Sequence, residues 1–232
     1  MFLSLLIFAG TLALSLWATL RVKAAYAKYS RLPASSGYSG AEVAGQILQG
    51  AGVYDVQVLE HDALLGDHYD PLHKRLVLSS QTFHGRSTAD LGIAAHECGH
   101  AIQHKLAYAP LQWRMAAVGL TSFASQVVMW LPLVGMFTGL LSTYTGLLIM
   151  AVGWGIIMLF NLITLPVEFD ASQRAKQLLP AMGFIRPGEE ARAVAKVLDA
   201  AAWTYVAAFL TSLAYFLWHL LPLLLGGRRS ED

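Results

Sequence analysis

The residues best suited to chemistry in this chain are His96, Glu97 and His100, set in Ala95-His-Glu-Cys-Gly-His100. Side chains four apart on a helix share one face, one turn above the other. Two imidazoles at that spacing can hold one zinc ion, and the glutamate between them can reach a water on it. Zinc draws the pKa of such a water down towards about 7 and polarises a carbonyl. Glu97 then serves as general base, taking the proton and passing it to a leaving amine. The pattern fixes only three positions, so a plain helix surface is the alternative reading. The flanking Ile93, Ala94, Ala95, Ala101 and Ile102 favour a sheltered apolar setting, and Gly99 leaves room beside His100. Cys98 points to another side of the helix and reads as a small buried apolar residue.

A catalytic zinc usually takes three protein ligands and keeps one position open. His104 continues the four-residue spacing, but eight residues of helix rise separate it from His96 by about 12 Å. That excludes it as a partner to both other histidines. Glu168 is the better third ligand. It follows a long uncharged run, just after Pro166, and two membrane crossings between His100 and Glu168 return the chain to the same side. A helix beginning near Pro166 would put Glu168 in its first turn. There a carboxylate facing the helix macrodipole, or a charge at the membrane edge, is the alternative.

What must position these groups is mostly apolar. Of 232 residues, 56% are hydrophobic and 13% charged, against about 25% charged in soluble domains. No Asp, Glu, Lys or Arg occurs from Met1 to Leu20, from Met115 to Val167 or from Ala200 to Gly227. A bilayer core takes about 20 apolar residues, so four spanning helices are expected, at about 2–20, 116–135, 139–162 and 204–225. The turn between the middle pair falls near Leu133–Gly139, marked by Pro132, Gly135 and Gly139. No basic residue precedes the first apolar run, which favours an uncleaved anchor over a signal peptide.

The polar segments 21–115 and 164–203 hold nine and five Lys/Arg. Lys and Arg gather on the cytoplasmic side of membranes, so both segments read as cytoplasmic; Arg228 and Arg229 run against that orientation. A net charge of +1 gives no reason to expect a nucleic-acid partner, and the sole cysteine excludes an internal disulfide.

Within the first polar segment, Ser39-Gly-Ala-Glu42 and Ser87-Thr-Ala-Asp90 are capping boxes. The first opens an amphipathic helix ended by Gly50 and Gly52. The second opens a helix to about Tyr108 that carries the histidines. Val53–Leu59 and Lys74–Ser79 read as strands and His68–Pro71 as a turn.

Over nearly its whole length the chain resembles the YugP-type bacterial membrane zinc metallopeptidases. The likeness rests on Asp67-His-Tyr-Asp-Pro71, Leu78-Ser79, Ala95-His-Glu-Cys-Gly-His-Ala-Ile-Gln103, Thr164-Leu-Pro-Val-Glu-Phe-Asp-Ala-Ser172, Arg174-Ala175 and Ala200-Ala-Ala-Trp-Thr-Tyr-Val206. The family commonly has Val where Cys98 stands. More distantly the chain resembles the HtpX-type membrane proteases, whose third zinc ligand lies in a downstream Glu-x-x-Ala-Asp helix. That likeness implies Glu168 as third ligand, with Ser172 in place of the Asp, which weakens the supporting role carried by that position; whether Asp170 compensates stays open. It also implies proteolysis, with no particular substrate.

The expectation is therefore a mainly α integral membrane protein of one domain over 1–232. About four transmembrane helices carry a small α+β, zincin-like cytoplasmic segment with the His-Glu-x-x-His helix. Zn2+ is held by His96, His100 and Glu168 in a gluzincin-like set, and Glu97 is catalytic. The partners expected are a polypeptide substrate and the lipid bilayer of the cell membrane; the oligomeric state stays open. The competing class is a non-proteolytic membrane scaffold or chaperone-like protein with a structural metal. A transporter is disfavoured because the expected spans hold no charged residue.

Smaller expectations concern the surroundings. Lys74–Ser79 is a candidate sheet edge for substrate. His68, Arg174 and Tyr205 are candidate oxyanion donors. His73 and His84 read as surface groups. His219 reads as a snorkelling or intramembrane polar residue, and the tryptophans near helix ends as an aromatic belt.

Overall fold

The computed structural model describes residues 2–62, 66–140 and 143–226. Arg228 and Arg229, the cations that oppose the orientation reading, lie outside them. The described chain is mostly helical, with one small sheet. Among the described residues, four helices are long and apolar enough to cross a membrane: α1 (Phe2–Tyr29), α5 (Ala109–Thr138), α6 (Tyr144–Ala181) and α7 (Glu189–Gly226).

Each of these helices outruns its apolar stretch. Lys23-Ala-Ala-Tyr-Ala-Lys28 extends α1 with good helix formers. Glu189 and Glu190 open α7 in its first turn, where carboxylates complement the macrodipole. Pro132 does not end α5; the turn comes at Gly139, whose φ of +71° suits the residue after a helix C-cap. Pro166 likewise does not start a helix. It lies inside α6, so Glu168 sits in the body of a 38-residue helix and not in a first turn. The macrodipole therefore cannot explain that carboxylate.

The chain divides into two compact units. One takes Met1–Leu16, Trp113–Leu165 and Tyr205–Asp232. In it Gly155 lets the Phe216 ring of α7 come close to α6, and Trp154 stacks on Tyr215 with centroids 4.6 Å apart. Asn161 Nδ2 donates to the Ala208 carbonyl and to Ser212 Oγ, at 3.2 and 3.0 Å.

The other unit takes Trp17–Gln112 and Pro166–Thr204. Besides the polar ends of α1, α6 and α7, it holds α2 (Gly40–Gly50), β1 (Gln57–His61), β2 (His68–Asp70), β3 (Arg75–Ser79), α3 (Ser80–His84) and α4 (Thr88–Lys105). Both expected capping boxes are formed, at Ser39–Glu42 and Ser87–Asp90. The core joins Val43, Ile47 and Leu48 of α2 to Leu76 and Leu78 of β3, Leu91 and Ala95 of α4, Leu179 of α6, Phe184, and Val194 and Leu198 of α7. Each of the larger side chains contributes about 1.5–3 kcal/mol by burial. Cys98 is buried among them with its Sγ 3.6 Å from the Ala44 carbonyl, and burial pushes its thiol up.

The sheet has order β1-β3-β2. Parallel pairing sets Gln57 against Arg75 and His61 against Ser79, and antiparallel pairing sets His68 against Val77. Three expectations change here. The strand expected over Val53–Leu59 begins four residues later, at Gln57, with Val53 buried ahead of it. His68–Asp70 is a strand and not a turn; the turn lies just beyond, where Asp70 Oδ1 accepts from the Leu72 and His73 amides. Lys74–Ser79 is not an edge, because β3 is bonded on both sides.

Candidate metal centre

Helix α4 is placed at its start. The Ser87 hydroxyl accepts from the Asp90 amide, and Asp90 returns a bond to the Ser87 amide. The same carboxylate accepts from the Tyr26 hydroxyl at 2.6 Å, and Thr88 Oγ1 donates to the Tyr29 carbonyl, so the end of α1 fixes the entry of α4. One turn further on, Leu91, Ala94, Ala95 and Cys98 face the core. His96 and His100 face α6.

Gly99 makes that approach possible in a way its spacing alone did not reveal. A Cβ added there would stand 2.8 Å from the Ala171 carbonyl oxygen and 3.0 Å from its Cα. The α4 and α6 backbones touch at this point, and any side chain would separate them. Glu168 lies one turn of α6 before Ala171 and is brought onto the histidine pair.

The geometry is compact. His96 Nε2 lies 3.3 Å and His100 Nε2 3.7 Å from Glu168 Oε2. The two rings stand 4.8 Å apart and nearly perpendicular, at 85°. One ligand atom from each of the three residues lies within 4.8 Å of the others. Tetrahedral zinc with bonds of about 2.1 Å spaces its ligand atoms about 3.4 Å apart. The donor chemistry agrees as well, since two imidazoles and a carboxylate form a catalytic zinc set. The group therefore fits the ion.

Around it the polar groups are enclosed. Glu168 is 1% exposed, Glu97 8% and His100 8%. Burial pushes the Glu97 carboxyl up, while the neighbouring His96 and His100 pull it the other way. Ser172 Oγ lies 3.1 Å from His96 Nδ1. Asp170, whose part beside Ser172 the sequence left open, accepts from Gln103 Nε2 at 2.8 Å and from Arg174 Nε at 2.6 Å. Gln103 itself was missed. Its signal was available: a polar side chain three residues after His100, on a helix whose surroundings are apolar.

Each of the other candidates has its own surroundings. His104 Nδ1 meets the Tyr69 hydroxyl at 2.8 Å and lines a cavity of about 170 Å³ with Asp55 and Lys74. His68 is exposed, its Nδ1 3.1 Å from the Gly66 carbonyl. Arg174 is committed to Asp170. Tyr205 belongs to the apolar unit. His73 and His84 are exposed and pair with Asp70 and Glu60. His219 Nδ1 meets the Tyr215 carbonyl one turn back on its own helix, at 2.7 Å.

Four membrane-length helices and an enclosed His-His-Glu group place this chain among helical proteins with a candidate metal centre. Its family follows: the chain belongs to the family described as "Putative neutral zinc metallopeptidase", which matches residues 4–224. It is similar to "Putative membrane protease YugP" of Bacillus subtilis (strain 168), with 45% identity over 224 residues, covering 94% of this chain and 95% of the relative. No solved structure matches it.

Proposed function

We propose that the protein is a membrane-embedded zinc peptidase that hydrolyses peptide bonds of polypeptide substrates. His96, His100 and Glu168 hold the metal and Glu97 acts as general base. The observation that carries this reading is the clustering of three ligand atoms within 4.8 Å, beside a fourth buried residue that does not belong to the cluster, Glu97. A purely structural metal site has little use for such a carboxylate. When bound, zinc supplies Lewis-acid polarisation of the scissile carbonyl and a lowered water pKa.

The remaining steps belong to the chain. Glu97 accepts the proton released as water attacks, then delivers it to the departing amine nitrogen. Its upward shift brings it closer to the working pH, which suits a group that must both take and give a proton. Ser172 holds the His96 ring from the side away from Glu168. The Lys/Arg of 21–115 and 164–203 support a cytoplasmic site in the cell membrane, and the small α+β segment is read as zincin-like.

The test uses detergent-purified protein, with bound zinc and casein cleavage measured with and without chelator. Glu97→Gln should keep zinc and lose cleavage by roughly 10²–10⁴-fold, whereas Glu168→Ala should lose zinc. Full cleavage by Glu97→Gln would overturn the mechanism. Zinc binding with no cleavage by the parent, across several unfolded substrates, would favour a scaffold with a structural metal.

A further inference from the structure

One side chain touches both helices that carry the three ligand candidates. Gln103 is fully enclosed, at 0% exposure. Its Oε1 lies 3.0 Å from His100 Nδ1. Its Nε2 lies 2.8 Å from the Val167 carbonyl oxygen and 2.8 Å from Asp170 Oδ2.

The two ends of an amide have nearly the same outline, so its orientation has to come from its partners. On the α6 side both partners are acceptors, a backbone carbonyl and a carboxylate. Only the NH2 can satisfy them; the reverse orientation would set an oxygen against two oxygens. The Gln103 carbonyl oxygen must then face His100, and because it only accepts, His100 Nδ1 must carry the hydrogen. That leaves the lone pair of the ring on Nε2, the atom turned towards Glu168.

We infer that Gln103 is a positioning residue that fixes the tautomer of His100 and, by the same amide, braces the turn of α6 that carries Glu168. The inference rests on the zinc-site reading above. Val167 adjoins Glu168 in sequence, and Asp170 is held in turn by Arg174 through Nε at 2.6 Å and NH2 at 3.3 Å. The chain His100–Gln103–Asp170–Arg174 thus ends on a fixed cation. His96 has no such constraint, because the Ser172 hydroxyl can donate or accept. The two histidines are therefore held by different rules, one rigid and one adjustable.

The experiment compares the full chain with Gln103→Met, which preserves length and apolar volume but cannot hydrogen-bond as an amide does. Zinc affinity is measured by competition with a chromophoric chelator, and the thermal midpoint is measured on the metal-free form. The expected result is zinc binding weaker by about 10- to 100-fold, together with a lower metal-free midpoint, because the Val167 carbonyl and Asp170 lose their donor. In cobalt-loaded protein the shifted ring N–H of His100 should exchange slowly with D2O in the parent and fast in the variant. Equal zinc affinity or equal exchange would overturn the inference. His96→Ala and Glu168→Ala separate the two levels. If these bind zinc as the parent does, the site reading itself fails. If they lose zinc while Gln103→Met keeps it, only the role of Gln103 fails.

Discussion

The two units differ in how far many of their polar side chains reach, although Asn161 also bonds across helices in the apolar one. In the apolar unit, hydroxyls turn back on their own helix: Thr11, Thr121, Thr138 and Thr164 each donate to a carbonyl four residues earlier, at 2.8 to 3.1 Å. In the other unit the bonds join distant parts of the chain. Tyr26 reaches Asp90, Gln103 reaches Val167, and Ser172 meets His96. A hydroxyl bonded to its own backbone costs a membrane helix little, because no donor faces lipid. It also positions nothing. Side chains that bond across elements hold those elements in register, and that is what a metal site spread over two helices requires.

The sharpest way to break this contrast is at Gly99. Gly99→Val must push Ala171 away, since even a Cβ would stand 2.8 Å from its carbonyl oxygen. Overpacking of this kind costs about 1–3 kcal/mol, and here it also withdraws Glu168. The expectation is complete loss of zinc binding together with a lower metal-free thermal midpoint. A variant that binds zinc normally would show that the helix contact is not what assembles the site.

A gentler probe uses the pH dependence of Glu97. Burial raises its pKa in the folded protein above the unfolded value of about 4.3. A carboxyl raised in this way holds its proton more tightly when folded, so its contribution to stability is fully present below the unfolded pKa and is lost as pH rises through the folded one. Metal-free Glu97→Gln should therefore melt higher than the parent at pH 7, with the gap closing as pH falls towards 4. A gap that is constant with pH would contradict the burial argument. The smallest effect is expected in the apolar unit. Asn161 makes the cross-helix bonds to Ala208 and Ser212 there, and such bonds are worth about 0.6 kcal/mol on average within membranes. Asn161→Leu should shift unfolding in detergent by about that amount and leave zinc affinity unchanged.

How much of this could be read beforehand follows the same division. Both capping boxes, the helix bearing His96 and His100, and the four apolar helices were legible, because each rests on local spacing or composition. Glu168 was legible as a candidate through its return to the same side of the membrane. Its helix was misread, because a proline usually ends an α-helix, whereas α6 continues through Pro166. The position of β3 between β1 and β2 was hidden, since an ordinary strand sequence does not say whether it has one neighbour or two. Gln103 escaped for a related reason. Its three bonds involve residues up to 67 positions away, and only the folded contact of α4 with α6 brings them together.

Cys98 gives the molecule one more property. It is the single thiol in the sequence and is fully enclosed, with its ionisation suppressed by burial. Thiolate is the reactive form, so the native protein is expected to react little with maleimides and mild oxidants. Any labelling signal then comes from a cysteine introduced on purpose. Exposed sites such as Leu72 in the polar unit and Phe137 near the α5–α6 turn become clean reporters of which face of a bilayer each occupies, on an otherwise unmodified background.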